Sequence, residues 1–380
     1  MIDGKKLFSD KTMKFGIAGL LLLTIPALFA PFIANGRPLW MKSADGISFP
    51  FLRTFFAPDS PEVAVESCFN FAGIFILFYL LIMLLTKRKV LRLVFGGIFA
   101  LALGAVFFLT PARVDKFDYR TFVSADQEVK ALFAPIPYGP FEIVGSSYEK
   151  PGKKHIFGTD EIGRDVAARI IYGARVSLAV GIFSALIALL IGAPVGLCCG
   201  FFGGKFDLFT MRLIEILICF PTFLLLLILM SMLGEYHFEQ SAPLLIAVIG
   251  LTGWIGMAML VRGEVLKCKK LPYIESCIVS GVPKSRILFY ELLPNVSGVL
   301  LIWFSFAVAG AILAESSLSF LGFGVRSPVA SWGGLLRQAF DNPLDYWHLT
   351  LFPGLALFVA VISFNFIGEG LRKSLDVRNR

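Results

Sequence analysis

Long apolar runs alternate with short charged connectors along this chain. Each run is close to the roughly 20 residues a helix needs to cross a bilayer. Three runs come first, Phe15–Ala34, Cys68–Thr86 and Leu93–Thr110. A long polar stretch, 111–175, follows them. Five more runs lie at about 176–197, 208–233, 242–261, 297–316 and 350–368. The pattern predicts an all-α polytopic membrane protein of about eight spans. Short patches of the polar stretch, such as Phe141–Val144, are where strands are expected.

Charge then sets the orientation. Lys5, Lys6, Lys11 and Lys14 precede the first run, which ends at Pro31 and Asn35 without a small-x-small cleavage site, so it is expected to remain as a span. Lys87, Arg88, Lys89 and Arg92 form a basic knot between the second and third runs, a cytoplasmic signature. The 198–207 link carries Lys205, with Arg212 just beyond, whereas the 234–241 link has Glu235 and Glu239 and no Lys or Arg. Link 262–296 is basic again, with Arg262, Lys267, Lys269, Lys270, Lys284 and Arg286, and the tail carries Arg372, Lys373, Arg378 and Arg380. One arrangement satisfies all of these: both termini cytoplasmic, 111–175 and 330–349 outside. In 111–175 acidic and basic residues nearly balance, and the segment exceeds the length of about 60 residues over which loop charge orients. There the span count decides. Connector 330–349, with Trp332, Gly333, Gly334, Trp347 and His348, is expected to place aromatics at the outer interface.

Composition agrees, with 57% hydrophobic and 16% charged residues and a mean hydropathy of +0.78. Soluble domains run near 45–50% and 25%. The net charge of +8 does not point to nucleic acid, because the basic residues sit in membrane-flanking connectors. Six Cys form no disulfide framework or metal spacing, and Cys198-Cys199 read as small packing residues. His155 and Asp160 lack a third ligand at metal spacing. There is no G-K-[ST] phosphate loop and no nucleophile–base set, so the chain is not expected to be an enzyme. Gly158, Gly163, Gly322 and Gly324 are expected in turns or close backbone contacts. Glu315, near an outer helix end, sits either at the rim or along a pathway. Asn365, deeper in its run, is expected to tie helices together.

The informative connector is 262–296. Tyr273 to Val279 is long enough for two helical turns, Gly281 suits a sharp turn, and Pro283 suits the start of a second helix. Ser276, Cys277 and Ser280 are small, and Glu275 and Arg286 flank the turn. Such a segment is either a socket that passes force to the spans or an amphipathic connector lying on the membrane.

The spacing Glu275-Ser276-Cys277, Gly281, Glu291, Leu293-Pro294 resembles the cytoplasmic loop of the inner-membrane permease subunits of ATP-binding-cassette importers, in the dipeptide/oligopeptide/nickel branch. Ser276 and Cys277 replace alanines, and Glu291 stands where that branch commonly has His. Further blocks are similar: His155 to Asp165 with Arg169 and Tyr172-Gly173-Ala174-Arg175; Gly203-Gly204, Asp207, Met211-Arg212 and Phe220-Pro221; Ala314-Glu315 with Leu318 to Gly324 and Ser331-Trp332-Gly333; and Asn365, Gly368 to Arg372, Leu375-Asp376 and Arg378. Glu215, Glu369 and Val377 depart from those patterns.

The resemblance implies a type I importer permease fold with a core of about six spans at 176–380, an external region at 111–175, and residues 1–110 carrying the first span plus an extra hairpin. It implies an inner-membrane subunit importing short peptides or, in second place, nickel chelates or another small solute. An ion-driven secondary transporter and a lipid-flipping or scaffold complex are the readings outside this class. The implied partners are a related permease, two cytoplasmic ATPase subunits that carry ATP and Mg, and an external solute-binding protein. No cofactor on this chain is implied. The implied coupling residues are Tyr273, Glu275, Ser276, Cys277, Gly281, Pro283, Arg286, Glu291 and Pro294. The external or pathway candidates are Asp160, Arg164, Asp165, Glu315 and Asn365.

Overall fold

The structure is a computed structural model that describes residues 10–43, 46–56, 58, 60–109, 117–125, 129–235 and 240–375. Lys5, Lys6, Thr110, Glu239, Asp376, Val377, Arg378 and Arg380 lie outside the described residues.

The first run forms α1 (Lys11–Leu28) and, after a break at Phe29, the single turn α2 (Ala30–Ile33). Strands β1 (Trp40–Ser43), β2 (Gly46–Ser48) and β3 (Lys130–Leu132) make an antiparallel sheet of order β2-β1-β3, with Met41 opposite both Ser48 and Ala131. The Phe141–Val144 patch does not become a strand. Only Ile143 bridges, to Arg164. After α3 (Phe51–Phe56), the second and third runs form the hairpin α4 (Val63–Leu85) and α5 (Lys89–Leu109). The Phe78 and Phe99 rings stack at 3.5 Å, and Arg92 Nε closes the turn by donating to the Thr86 carbonyl at 2.7 Å. Leu80, Leu84, Leu93, Ile98 and Leu101 remain exposed, as lipid-facing side chains do. A short helix, α6 (Tyr119–Ala125), precedes β3.

The fourth run extends into α7 (Val166–Phe202), 37 residues or about 55 Å long, well beyond the hydrocarbon core. The fifth run departs from expectation. It is two helices, α8 (Gly204–Ile218) and α9 (Thr222–Glu235), bent by 80°. Pro221 has no N–H to continue the ladder, and its ring collides with the preceding turn. Next come α10 (Ala242–Cys268), α11 (Pro272–Val279) and α12 (Lys284–Arg286). A π-helical turn, Ile287–Leu292, joins α12 to α13 (Leu293–Leu321). The last described helices are α14 (Trp332–Gln338) and α15 (Trp347–Leu375). Among the described residues seven helices are long and apolar enough to span, or eight if the bent pair counts as one.

Contacts gather the chain into two compact units. One contains Met1–Leu21, Leu178–Gly324 and Leu357–Arg380. Here α7 and α10 meet through glycines spaced four apart. A Cβ added at Gly192, Gly196 or Gly200 would lie 2.6, 2.5 or 2.7 Å from atoms of α10, so only hydrogen allows the approach. The start of α1 meets α15 in the same way, with a Cβ at Gly16 falling 2.7 Å from the Ser363 carbonyl.

The second unit contains Leu22–Ser177 and Val325–Ala356. Tyr172 packs with Ala30, Ala34 and Ala168, and its hydroxyl donates to the Ala34 carbonyl at 3.2 Å. The connector 330–349 differs from the interfacial loop read from its sequence. Ser331 caps α14 by accepting from the Gly334 N–H at 3.1 Å, and Trp332 and His348 are fully buried. Trp332 Nε1 donates to the Ile170 carbonyl at 3.2 Å, and His348 Nε2 lies 3.0 Å from the Thr159 carbonyl. Both rings find a polar partner inside the fold, so they pack there, whereas Phe340 and Trp347 stay exposed.

Candidate functional site

Helix α11 starts at a proline, whose missing N–H costs nothing in a first turn, and ends before Gly281. Gly281 has φ +73°, which L side chains rarely adopt, and the space around it is open. Pro283 stands immediately before α12 rather than within its first turn. Pro294 does not start a separate span. It has no N–H for the Tyr290 carbonyl, and the backbone ahead of it widens into the π-helical turn that makes 284–321 continuous.

The segment is anchored from one side. Ile274, Ile287, Leu288 and Leu292 are buried in one cluster with Phe201 of α7, Val261 and Val265 of α10 and Val296 of α13. Cys277 and Val282 pack against that cluster. Asn295 Nδ2 donates to the Tyr273 hydroxyl at 2.7 Å and to the Glu291 carbonyl at 2.6 Å, clamping α11 to the start of α13. Burial raises the titration of the Tyr273 hydroxyl, so it stays protonated near neutrality.

The other side is bare. Glu275, Ser276, Gly281, Pro283, Arg286 and Pro294 are exposed, and Glu291 is half-buried. Val279 is 87% exposed and Tyr290 75%. An apolar patch at the tip of a rigidly seated polar connector is the surface a second protein would cover.

The external candidates form a buried knot. Asp160 Oδ2 accepts from Arg164 Nε at 2.6 Å and lies 3.2 Å from Arg169 Nε. Its Oδ1 accepts from the Arg164 and Ile162 backbone N–H groups at 2.9 and 3.1 Å. Gly163, at φ +89°, supplies the turn between them. Asp165 caps α7 by accepting from the Ala168 N–H at 2.9 Å, and His155 Nδ1 lies 2.8 Å from its other oxygen. Arg169 donates to the Pro140 and Pro328 carbonyls at 3.0 and 3.1 Å. Asp160, Arg164 and Asp165 are thus closed to solvent and fix the entry to α7 against the 325–331 loop. No group of three His, Cys, Asp or Glu side chains among the described residues could hold a metal.

Glu315 is also fully buried. It accepts from Ser319 Oγ at 2.7 Å and Ser316 Oγ at 3.3 Å. Asn365 is half-buried in α15. The structure therefore brings the coupling candidates together at one connector and Asp160, Arg164 and Asp165 at another, while Glu315 and Asn365 belong to neither. The glycine contact of α7 with α10, next to the helices on which α11 packs, was not read from the sequence. Its signal was the spacing Gly192, Gly196, Gly200.

The family model of the binding-protein-dependent transport system inner membrane component matches residues 192–380. The oligopeptide transport system permease protein OppC of Haemophilus influenzae is 41% identical over 227 residues, 60% of this chain and 71% of its own. The dipeptide transport system permease protein DppC of Bacillus subtilis is 38% identical over 258 residues, 66% and 79%. The glutathione transport system permease protein GsiD of Pectobacterium atrosepticum is 37% identical over 228 residues, 60% and 74%. Among solved structures, the inward-facing MetNI methionine ABC transporter in its CY5 native crystal form matches 53% of this chain and 94% of its own. Its TM-score is 0.42 and its identity 20%. This chain belongs to the binding-protein-dependent transport system inner membrane components, the permease subunits of ABC importers, whose ATP hydrolysis resides in partner subunits.

Proposed function

We propose that the chain is one half of the membrane pathway of an importer of short peptides, with a related permease as the other half. Two cytoplasmic ATPase subunits dock on Leu271–Phe289, and their closure moves the spans between outward- and inward-facing packings. Both termini are cytoplasmic, and about eight spans cross the inner membrane. Residues 176–380 form the core, 111–175 the external region on which a solute-binding protein docks, and 1–110 the first span with the extra hairpin. Tyr273, Glu275, Ser276, Cys277, Gly281, Pro283, Arg286, Glu291 and Pro294 make up the coupling segment.

One observation carries this reading. Ile274 is fully buried in a cluster shared with α7, α10 and α13, while Val279 on the same short helix is 87% exposed. A helix so seated moves with three spans at once, and its free face is where a motor would push. The peptide class is supported by relatives described as oligopeptide, dipeptide and glutathione permeases. The experiment is ATP-driven uptake of a labelled dipeptide by vesicles holding this chain, its partner permease, the ATPases and the binding protein. Gly281→Trp, placed in open space, should abolish uptake while the protein still inserts; normal uptake with that change overturns the coupling assignment.

A further inference from the structure

Helix α7 turns Gly192, Gly196 and Gly200 toward α10. Two residues before each of these, on the opposite face, Leu190, Pro194 and Cys198 form a stripe at four-residue spacing. The stripe is one wall of a groove of about 260 Å³, and Leu288 and Phe289 of the π-helical turn with Leu300 of α13 make the other. The lining is almost wholly apolar, and Leu190, Pro194 and Phe289 are exposed, so the groove lies open at the surface. From Leu189 to Cys198 it follows α7 for about 14 Å, close to half of the roughly 30 Å hydrocarbon core. The next member of the stripe, Phe202, ends α7, and there Lys284 Nζ lies 5.8 Å from the centre of its ring. On the other wall, Leu288 follows Lys284 by one turn. Lys284 therefore stands at the mouth of the groove. A ring face takes one side of an ammonium and leaves its other N–H donors open. Lys269 differs, because it sits over the Phe201 ring and also donates to the Phe201 carbonyl. Of the nearby carboxylates, Asp207 is held by Arg262 and Glu264 by Lys267. Among the described residues no Asp or Glu pairs with Lys284, or with the exposed Arg286 two residues on.

We propose that this groove seats one acyl chain of an anionic phospholipid of the phosphatidylglycerol type, with its phosphate on Lys284. The groove is as long as one leaflet is deep, which suits a single lipid chain. An apolar wall alone selects no lipid, because the chains around it are equally apolar. The selection comes from the mouth, where an ammonium without a carboxylate meets the headgroup layer and attracts negative charge. A free phosphate would gain nothing from the groove. The site needs only that the chain spans a bilayer, and it is independent of the transported solute and of the ATPase contact.

The test titrates the full-length permease in detergent micelles with dioleoyl phosphatidylglycerol and with dioleoyl phosphatidylcholine, and counts retained lipid by native mass spectrometry. One phosphatidylglycerol should bind about fivefold more tightly than phosphatidylcholine, the effect of one lysine at a headgroup. Lys284→Gln, at an exposed position, should bring the two lipids level. Leu190→Trp, which crowds the groove from an exposed wall, should weaken both lipids and leave their ratio near fivefold. Should that variant aggregate, Phe289→Ala removes part of the other wall and should weaken both in the same way. Equal affinity for the two lipids, no retained lipid, or a preference that survives Lys284→Gln overturns the proposal. So does glycerol phosphate binding as tightly as the whole lipid, or a second copy of the chain that excludes lipid from the groove. Neither ATPase nor transported solute is present, so failure here leaves the coupling and peptide readings standing.

Discussion

Arg262 grips Asp207 with two hydrogen bonds, Nε to Oδ1 at 2.5 Å and Nη2 to Oδ2 at 2.7 Å. The pair joins the first turn of α8 to the late turns of α10, 55 residues apart, in the same unit as α11 and α12. Lys269 adds a second tie by donating to the Phe201 carbonyl at 2.7 Å. A planar fork on a carboxylate fixes angle as well as distance.

Arg262→Lys, which keeps the charge and loses the fork, should therefore destabilise the purified permease by about 1 kcal/mol. A fall in thermal-unfolding midpoint in detergent checks it, and Asp207→Asn should cost a similar amount. An additive double variant would show that the two groups do not act as a pair.

Gly196→Leu should prevent α7 from closing on α10, because even a Cβ would lie 2.5 Å from the Ala258 carbonyl. Loss of the monodisperse folded peak on size-exclusion chromatography is the expected result. Gly263→Leu, where a side chain meets open space, should behave as wild type.

Ile274→Ala removes a fully buried side chain beneath α11 and should cost about 2–4 kcal/mol. The informative measurement is the ratio of ATP hydrolysed to dipeptide taken up in reconstituted vesicles. It should rise, because a loosened helix absorbs the ATPase stroke instead of passing it on. An unchanged ratio would put force transmission elsewhere.

Asp160→Ala leaves Arg164 and Arg169 buried without their carboxylate and should cost about 3–5 kcal/mol, seen as loss of folded protein. Asp165→Ala removes the α7 cap and the partner of His155, and Asp165→Asn keeps the cap oxygen. The alanine variant should be the less stable of the two by about 1 kcal/mol in thermal unfolding.

Much of this was legible in the chain. Runs of about 20 apolar residues and the Gly281–Pro283 turn are local features, and each appeared as its chemistry required. The break at Cys219–Pro221 was also written locally, in a proline inside an apolar run, but the run's hydrophobicity masked it. Trp332 and His348 were harder. Nothing near them in sequence shows that the Ile170 and Thr159 carbonyls, 162 and 189 residues away, would take their ring nitrogens.

The sequence by itself determined that this is a multi-span membrane protein with a polar connector built as a helix, a glycine turn and a proline. Hydropathy and backbone permissiveness act over a few residues and need no distant partner. Only the tertiary structure decided which face of that connector is anchored and which charges of the 155–169 segment neutralise one another. Those outcomes depend on side chains brought together from far along the chain, where burial and charge pairing act on distances that no spacing in the sequence encodes.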